Sequence, residues 1–260
     1  LLAINTKFNK HNFFVVVPFY NEEKLILGTL DSLKNQTDHD FSLIVVDNNS
    51  TDSSVEIIES FIKANPDMSI QIISEQLKGT GAAADTGFRK AIALGAKVIA
   101  RTDADSLPCK DWVSLLKKEF ETGALIVGGK LKPRTDEPGY RWWDGIIMPF
   151  LVRSMEIGAG IIYNGKGYNY RMFMIPGLNM AIDADLYLKA GGFPRQPIDE
   201  VDDDRILHMN VRKIIQGSQA RFAKKAIVYG SIRKAKAFGY IGIMLWYWDR
   251  KYKPKVVDVR

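Results

Sequence analysis

The chain has 260 residues, 46% of them hydrophobic and 25% charged, which suffices for one well-filled core and excludes a disordered chain. A formal charge of +6 and a pI near 9.2 favour an anionic partner: nucleic acid, a membrane surface or a phosphorylated small molecule. The single cysteine, Cys109, excludes an intrachain disulfide and a cysteine zinc cluster and suits a reducing compartment.

In chain order, Phe13 to Val17 is a β-branched and aromatic run ended by Pro18, which predicts a buried strand. Asn21 can cap the next helix, with Glu22 and Glu23 in its first turn and Leu25, Leu30 and Leu33 on its apolar face. A second strand, Ser42 to Val46, ends at Asp47-Asn48-Asn49-Ser50, and Ser50 or Thr51 caps a helix carrying Val55, Ile58 and Ile62. Ile70 to Ile73 is a third strand, after which Lys78-Gly79-Thr80-Gly81 opens an Ala-rich helix reaching Leu94. Lys97 to Ala100 is the fourth. This alternation predicts an α/β fold: a Rossmann-like, mostly parallel sheet flanked by helices, with right-handed crossovers and a ligand crevice at the strand ends.

The fourth strand empties into Asp103-Ala104-Asp105-Ser106 before Leu107-Pro108. Two carboxylates one residue apart repel unless a cation or proton intervenes. A hard divalent ion that also holds a diphosphate is the natural reason to keep both, although an acid pair of this kind taken alone is more often a solvated turn.

A helix over 111–120 and a strand over 124–128 continue the sheet. The character changes at the turn-rich segment 132–139, so residues 1–131 are expected to bind the donor and 132–230 to form the acceptor side of the same domain. Tyr140-Arg141-Trp142-Trp143 suits a membrane interface, but core or dimer burial is the favoured reading. Residues 163–170 read as a loop, 172–175 and 179–182 as strands, and 183–190 as a short helix closed by Gly191-Gly192-Phe193-Pro194. The acidic run from Asp199 to Asp204 precedes a helix over 205–215. The remainder, 231–260, is a helical tail mixing Arg233, Lys234, Lys236 and Arg250 with Tyr240, Trp246, Tyr247 and Trp248, a composition that suits either peripheral membrane contact or burial. Its apolar stretch of about a dozen residues is too short to span a bilayer. The first residues lack the order of a signal peptide, so a cytoplasmic location is expected.

Together these segments resemble the inverting GT-A glycosyltransferases of family 2. The resemblance rests on Val15-Val16-Val17-Pro18-Phe19-Tyr20-Asn21-Glu22, Val45-Val46-Asp47-Asn48-Asn49-Ser50-Thr51-Asp52, Thr102-Asp103-Ala104-Asp105, Gly177-Leu178-Asn179-Met180-Ala181, Gly191-Gly192-Phe193 and the late acid cluster, in register over roughly residues 12–216. It implies a nucleotide-diphosphate-sugar donor of UDP or GDP type, a divalent metal (Mn2+ or Mg2+) and a saccharide or lipid-linked acceptor. It places Pro18, Tyr20, Asn21 and Glu22 along the nucleotide, Asp47 at its base or ribose, and Gly79, Gly81 and Asp85 where backbone approaches it. Asp103, with Ala104 beside it, would face the ribose side and Asp105 the metal. Asp203 would be the general base and Asp202 its neighbour near the acceptor. Asn48 stands where many members carry a second acid, which leaves the choice of base open. Ala84-Asp85 replaces the usual Arg-Asn, and the Gln-x-x-Arg-Trp motif of processive synthases is missing, which argues for addition of a single sugar.

His208, one turn into the late helix, is a further metal-ligand candidate, set against a satisfied or exposed histidine. Lys78, Arg89 and Lys166 are candidate cations for the departing diphosphate. The rival within the enzyme class is a synthase loading a sugar onto a polyprenyl phosphate. A nucleotidyltransferase would need a Gly-rich phosphate loop after the first strand, which Pro18-Phe19-Tyr20-Asn21-Glu22 does not provide. A basic nucleic-acid-binding module is disfavoured because acids at the strand ends repel phosphate; a catalytically dead sugar-nucleotide binder would not be expected to keep Asp103, Asp105 and Asp203.

Overall fold

The computed structural model describes residues 11–162, 167–173, 175–195 and 203–248. Its first half follows the hydrophobic runs. Strand β1 (Phe13–Phe19) is buried at every residue, as a central strand with helices on both faces must be. It pairs in parallel with β2 (Ser42–Asp47) and with β4 (Val98–Arg101), and β2 pairs in parallel with β3 (Ile70–Ser74). The crossovers are α1 (Ile26–Lys34), α2 (Ser54–Ala64) and α3 (Thr80–Ala93). Ala82, Ala83 and Ala84 of α3 have no exposed surface, so their small side chains bring the helix backbone close to the sheet.

Beyond β4 the sheet becomes mixed. A short β5 (Leu107–Pro108), helix α4 (Trp112–Glu121), strand β6 (Ile126–Pro133) and helix α5 (Asp144–Ile162) precede β7 (Met180–Asp183) and α6 (Ala184–Lys189). Helix α7 (Asp203–Val211), strand β8 (Ala220–Gly230) and helix α8 (Arg233–Trp248), which kinks at Gly239, are the last described elements. The sheet order is β3-β2-β1-β4-β7-β6-β8-β5, with β7 antiparallel to both β4 and β6. One core lies beneath α1, α2 and α4, where Val15, Val17, Leu30, Leu43 and Trp112 meet; the other lies beneath α3, α6 and α7, where Val16, Ile44, Phe88, Tyr187 and Leu207 meet.

Two pairings aim this frame. Phe19 of β1 pairs with Asp47 of β2, so both strands empty at the same edge. Arg101, the last residue of β4, pairs with Met180, the first of β7, which carries the 3-10 turn Gly177–Asn179 to that edge.

Several expectations need correction. Helix α1 starts at Ile26 rather than after Asn21, because Asn21 adopts φ 51° and the Glu22 carbonyl accepts from Leu25 and Ile26. Of the strand expected over 172–175, the described residues are not strand, and α7 is shorter than its pattern implied. Strand β8 was not anticipated: Lys224 and Lys225 interrupt its alternation, at the place where its register with β6 shifts. Trp142 is 71% exposed and Trp143 lies at the surface beside it, so the pair is not core. Among the described residues no helix is long and apolar enough to cross a membrane.

Candidate active site

The site is built around a buried arginine. Arg101 closes an apolar strand, and its guanidinium, with 4% of the side chain exposed, meets three carboxylates: Asp103 Oδ1 at 3.3 Å, Asp203 Oδ2 at 3.2 Å and Asp204 Oδ1 at 3.2 Å. Burial alone would lower its pKa; Asp103, Asp204 and Asp203 together hold it above the ordinary arginine value, so the charge is retained. The acid of the β4 loop and the late acids at the start of α7 therefore share one cation. For Asp103, burial raises the carboxyl above its ordinary range, Arg101 opposes this, and Asp105 and Asp203 add to it.

Two glycines allow this convergence. A Cβ on Gly81, in the first turn of α3, would lie 2.7 Å from the Pro194 carbonyl and 3.1 Å from Asp203 Cβ, so α3 and α7 approach only with glycine there. A Cβ on Gly177 would fall 2.1 Å from Asp204 Oδ1; with glycine, its backbone N–H instead donates to Asp204 Oδ2 at 2.7 Å.

The loop from Asp103 to Ser106 is pinned by its own backbone. Buried Thr29 of α1 donates its hydroxyl to the Ala104 and Ser106 carbonyls (2.7 and 2.8 Å), and Arg134 donates to the Asp105 carbonyl at 3.0 Å. Asp105 is thereby turned toward Glu22, and Arg233 from the first turn of α8 bridges them, 2.7 Å from Glu22 Oε1 and 2.9 Å from Asp105 Oδ2. Glu22 is held by its backbone N–H, which donates to Ser54 Oγ at 2.8 Å. An oxygen pair already sharing a cation suits a hard divalent ion, so the donor set fits such a metal. Among the described residues, no cluster of three or more His, Cys, Asp or Glu side chains forms a metal site.

The residues expected along the nucleotide divide into two groups. Tyr20 is half-buried, with Lys78 Nζ 4.9 Å from its ring centroid, and Asp47 keeps to the strand edge with one oxygen accepting from the Ser50 N–H. Pro18 lies within β1, paired with Val46, and Asn21 accepts from the Thr51 N–H. Gly79, just ahead of α3, donates its N–H to Asn48 Oδ1. Asn48 is the first correction. Its side chain is buried, and the amide donates to the Glu75 and Leu77 carbonyls, so it clips the β2 turn to the start of α3 and has no donor left for a base.

Asp85 is the second correction. Its carboxylate has no exposed surface; it pairs with Arg89 at 2.8 Å and Arg195 at 3.3 Å and accepts from the Tyr187 hydroxyl at 2.8 Å. This also commits Arg89, one of the candidate phosphate cations. His208 is the third. Its ring is buried, 3.1 Å from the Tyr170 hydroxyl and packed edge-on against Phe173; burial pushes its pKa down to about 3, with Arg212 adding to the shift. Neutral and enclosed among aromatic rings, it does not join Asp103 and Asp105. Asp202 and Lys166 lie outside the described residues.

Sequence reasoning missed Arg101 and Arg233. The signal for Arg101 was a lone cation at the end of an otherwise apolar strand, directly before the acid pair. Arg233 was read only as one of several basic residues in the tail.

The glycosyl transferase family 2 model matches residues 14–188. Chondroitin synthase of Escherichia coli is 26% identical over 201 residues, 75% of this chain and 29% of that protein. UDP-N-acetylglucosamine–dolichyl-phosphate N-acetylglucosaminyltransferase of Methanococcus voltae is 29% identical over 133 residues, 46% of this chain and 52% of that protein. The chain thus spans about half or less of the length of these curated relatives. Among solved structures, the mannosyltransferase PcManGT from Pyrobaculum calidifontis in complex with GDP-Man and Mn2+ superposes with a TM-score of 0.61 at 22% identity, covering 93% of this chain and 65% of that one. The fold is therefore that of the GT-A glycosyltransferases, and the chain belongs to glycosyl transferase family 2.

Proposed function

We propose that the site transfers a single sugar from a nucleotide diphosphate sugar to an acceptor hydroxyl, with inversion at the anomeric carbon and with a divalent metal, in polysaccharide or glycolipid assembly at the cell envelope. The observation that carries this reading is the joint hold of Arg101 on Asp103 and Asp203, which puts the acid loop and the late acids in one cluster. Asp103 and Asp105 take the donor side, and Asp47 and Tyr20 lie along the nucleotide. Asp105, with Glu22 beside it, would hold the Mn2+ or Mg2+, which when bound supplies charge to the departing diphosphate.

Asp203 takes the acceptor side as general base. Its neighbour Asp204 is fixed by Arg101 and by the Gly177 N–H, whereas Asp203 has one oxygen in the Arg101 contact and 18% of its side chain exposed. A carboxylate so placed can take the hydroxyl proton as the new bond forms. One base without a protein nucleophile means direct displacement, hence inversion. Asp202 would stand beside it near the acceptor.

A second reading, loading of a sugar onto a polyprenyl phosphate, is favoured by the exposed apolar residues Trp142, Ile146 and Phe150, at 71%, 62% and 72%, in and just before α5. They would suit peripheral contact with a membrane that presents a lipid-linked acceptor, as the acceptor named for the Methanococcus voltae relative does. Flotation with anionic liposomes separates the two: protein that stays in the bottom fraction speaks for a saccharide acceptor.

A thermal-shift screen of UDP and GDP with and without Mn2+ tests the main reading. At about one hundred times the dissociation constant, a nucleotide adds about 2.7 kcal/mol of stability, a rise of roughly 5–10 °C for a chain of this size. The rise is expected only with metal; no rise with any nucleotide diphosphate would overturn the proposal.

A further inference from the structure

The short stretch of α8 ahead of its break at Gly239 (φ 69°) opens with the cations Arg233 and Lys234. Their placement makes sense through what they face. Arg233 Nη2 lies 2.7 and 2.9 Å from the two Glu22 oxygens and 2.9 Å from Asp105 Oδ2, and its Nε donates to Ser231 Oγ at 3.1 Å. Lys234 adds a Coulombic pull on Asp103. The side chains of Arg233 and Asp105 are each 26% exposed, so the pair sits at the mouth of the cluster, within reach of solutes. Burial disfavours the Arg233 charge, yet Glu22 and Asp105 raise its pKa above the ordinary value, so it stays cationic.

A guanidinium on Asp105 Oδ2 and a divalent ion on the same oxygen exclude one another, by repulsion and by occupancy. Arg233 is also the residue type best shaped to take phosphate oxygens in a two-pronged contact, and a diphosphate at Asp105 would lie beside it. We propose that Arg233 is an exchangeable counter-ion. It neutralises Asp105 and Glu22 while the acid loop carries no metal, yields Asp105 to the divalent ion, and then binds the diphosphate of the donor, so that donor loading is read directly by α8. The inference rests on the reading of Asp105 as the metal-holding acid.

The test is isothermal titration of Mn2+, and then of UDP or GDP at saturating Mn2+, into the full chain and three variants. Arg233→Ala removes the counter-ion, and Arg233→Gln keeps most of the stem should the alanine variant fold poorly. Lys236→Ala is the control, since Lys236 Nζ donates to the Pro138 carbonyl and pulls on Asp144, away from Glu22 and Asp105. Loss of one charge-assisted contact predicts about tenfold tighter Mn2+ binding without nucleotide and about tenfold weaker nucleotide binding with Mn2+ in both Arg233 variants. Lys236→Ala is expected to match the parent. Mn2+ affinity that is unchanged or weakened in the Arg233 variants overturns the exchange, and unchanged nucleotide affinity overturns the diphosphate contact. A parent chain that binds no Mn2+ even with nucleotide overturns the assignment of Asp105 itself.

Discussion

Arg101 and Asp203 lie 102 positions apart in the chain and meet at 3.2 Å. One closes strand β4, and the other opens helix α7. The contact joins the two acid clusters that the sequence presents separately, and the stability of that join is directly testable.

Replacing Arg101 by Met would leave Asp103, Asp203 and Asp204 without their shared cation. Breaking a buried charge cluster by removing one partner costs about 3–5 kcal/mol. The urea unfolding midpoint of Arg101→Met is expected to fall accordingly, and Arg101→Lys to recover only part of the loss, since a point charge cannot replace a fork that meets three carboxylates. A loss under about 1 kcal/mol would show that the cluster is held by other contacts.

Asn48→Asp would exchange an amide donor for a carboxylate facing the Glu75 and Leu77 carbonyls. The expected result is a loss of about 2–3 kcal/mol on thermal unfolding, with the preference between UDP and GDP unchanged. A switch in nucleotide preference would return Asn48 to the base-reading role its position in the sequence suggested.

His208 gives the protein a defined response to acid. Its folded pKa of about 3 lies below the ordinary 6.5, so between those values the unfolded chain binds a proton that the folded ring refuses. Its contribution therefore favours folding above pH 6.5 and is lost as pH falls toward 3, at up to about 1.4 kcal/mol per pH unit. Chemical denaturation at pH 7.5 and pH 5 is expected to show a drop for the parent that is about 1–2 kcal/mol smaller for His208→Asn. An equal drop in both would mean that the ring is protonated in the folded state.

The parallel half of the fold was legible because β1 and β2 are nearly unbroken apolar runs with turn signals at their ends, and a strand buried on both faces cannot be written otherwise. The acid pair was legible because carboxylates side by side at the mouth of an apolar strand repel one another unless a cation shares them. The partners of these acids were not. A cation such as Arg101 or Arg233 has the same local signature whether it is solvated or saturated by distant carboxylates, and only the pairing of β4 with β7 and the return of α8 decide. Asn48 and Asp85 misled in the opposite direction, since polar side chains in a nucleotide-like segment can be consumed by the turn or helix that carries them. Strand β8 was hidden because the adjacent Lys224 and Lys225, both exposed, break its alternation beside a shift in its register with β6.

The central claim, that one cleft holds the donor on Asp105 and activates the acceptor through Asp203, is tested most directly by comparing Asp203→Asn with Asp105→Ala in paired assays of donor binding and sugar transfer. The account predicts that Asp203→Asn binds nucleotide sugar with Mn2+ about as tightly as the parent while transfer falls by roughly 10²–10⁴, and that Asp105→Ala loses the Mn2+-dependent binding itself. Transfer by Asp203→Asn at the rate of the parent would contradict it.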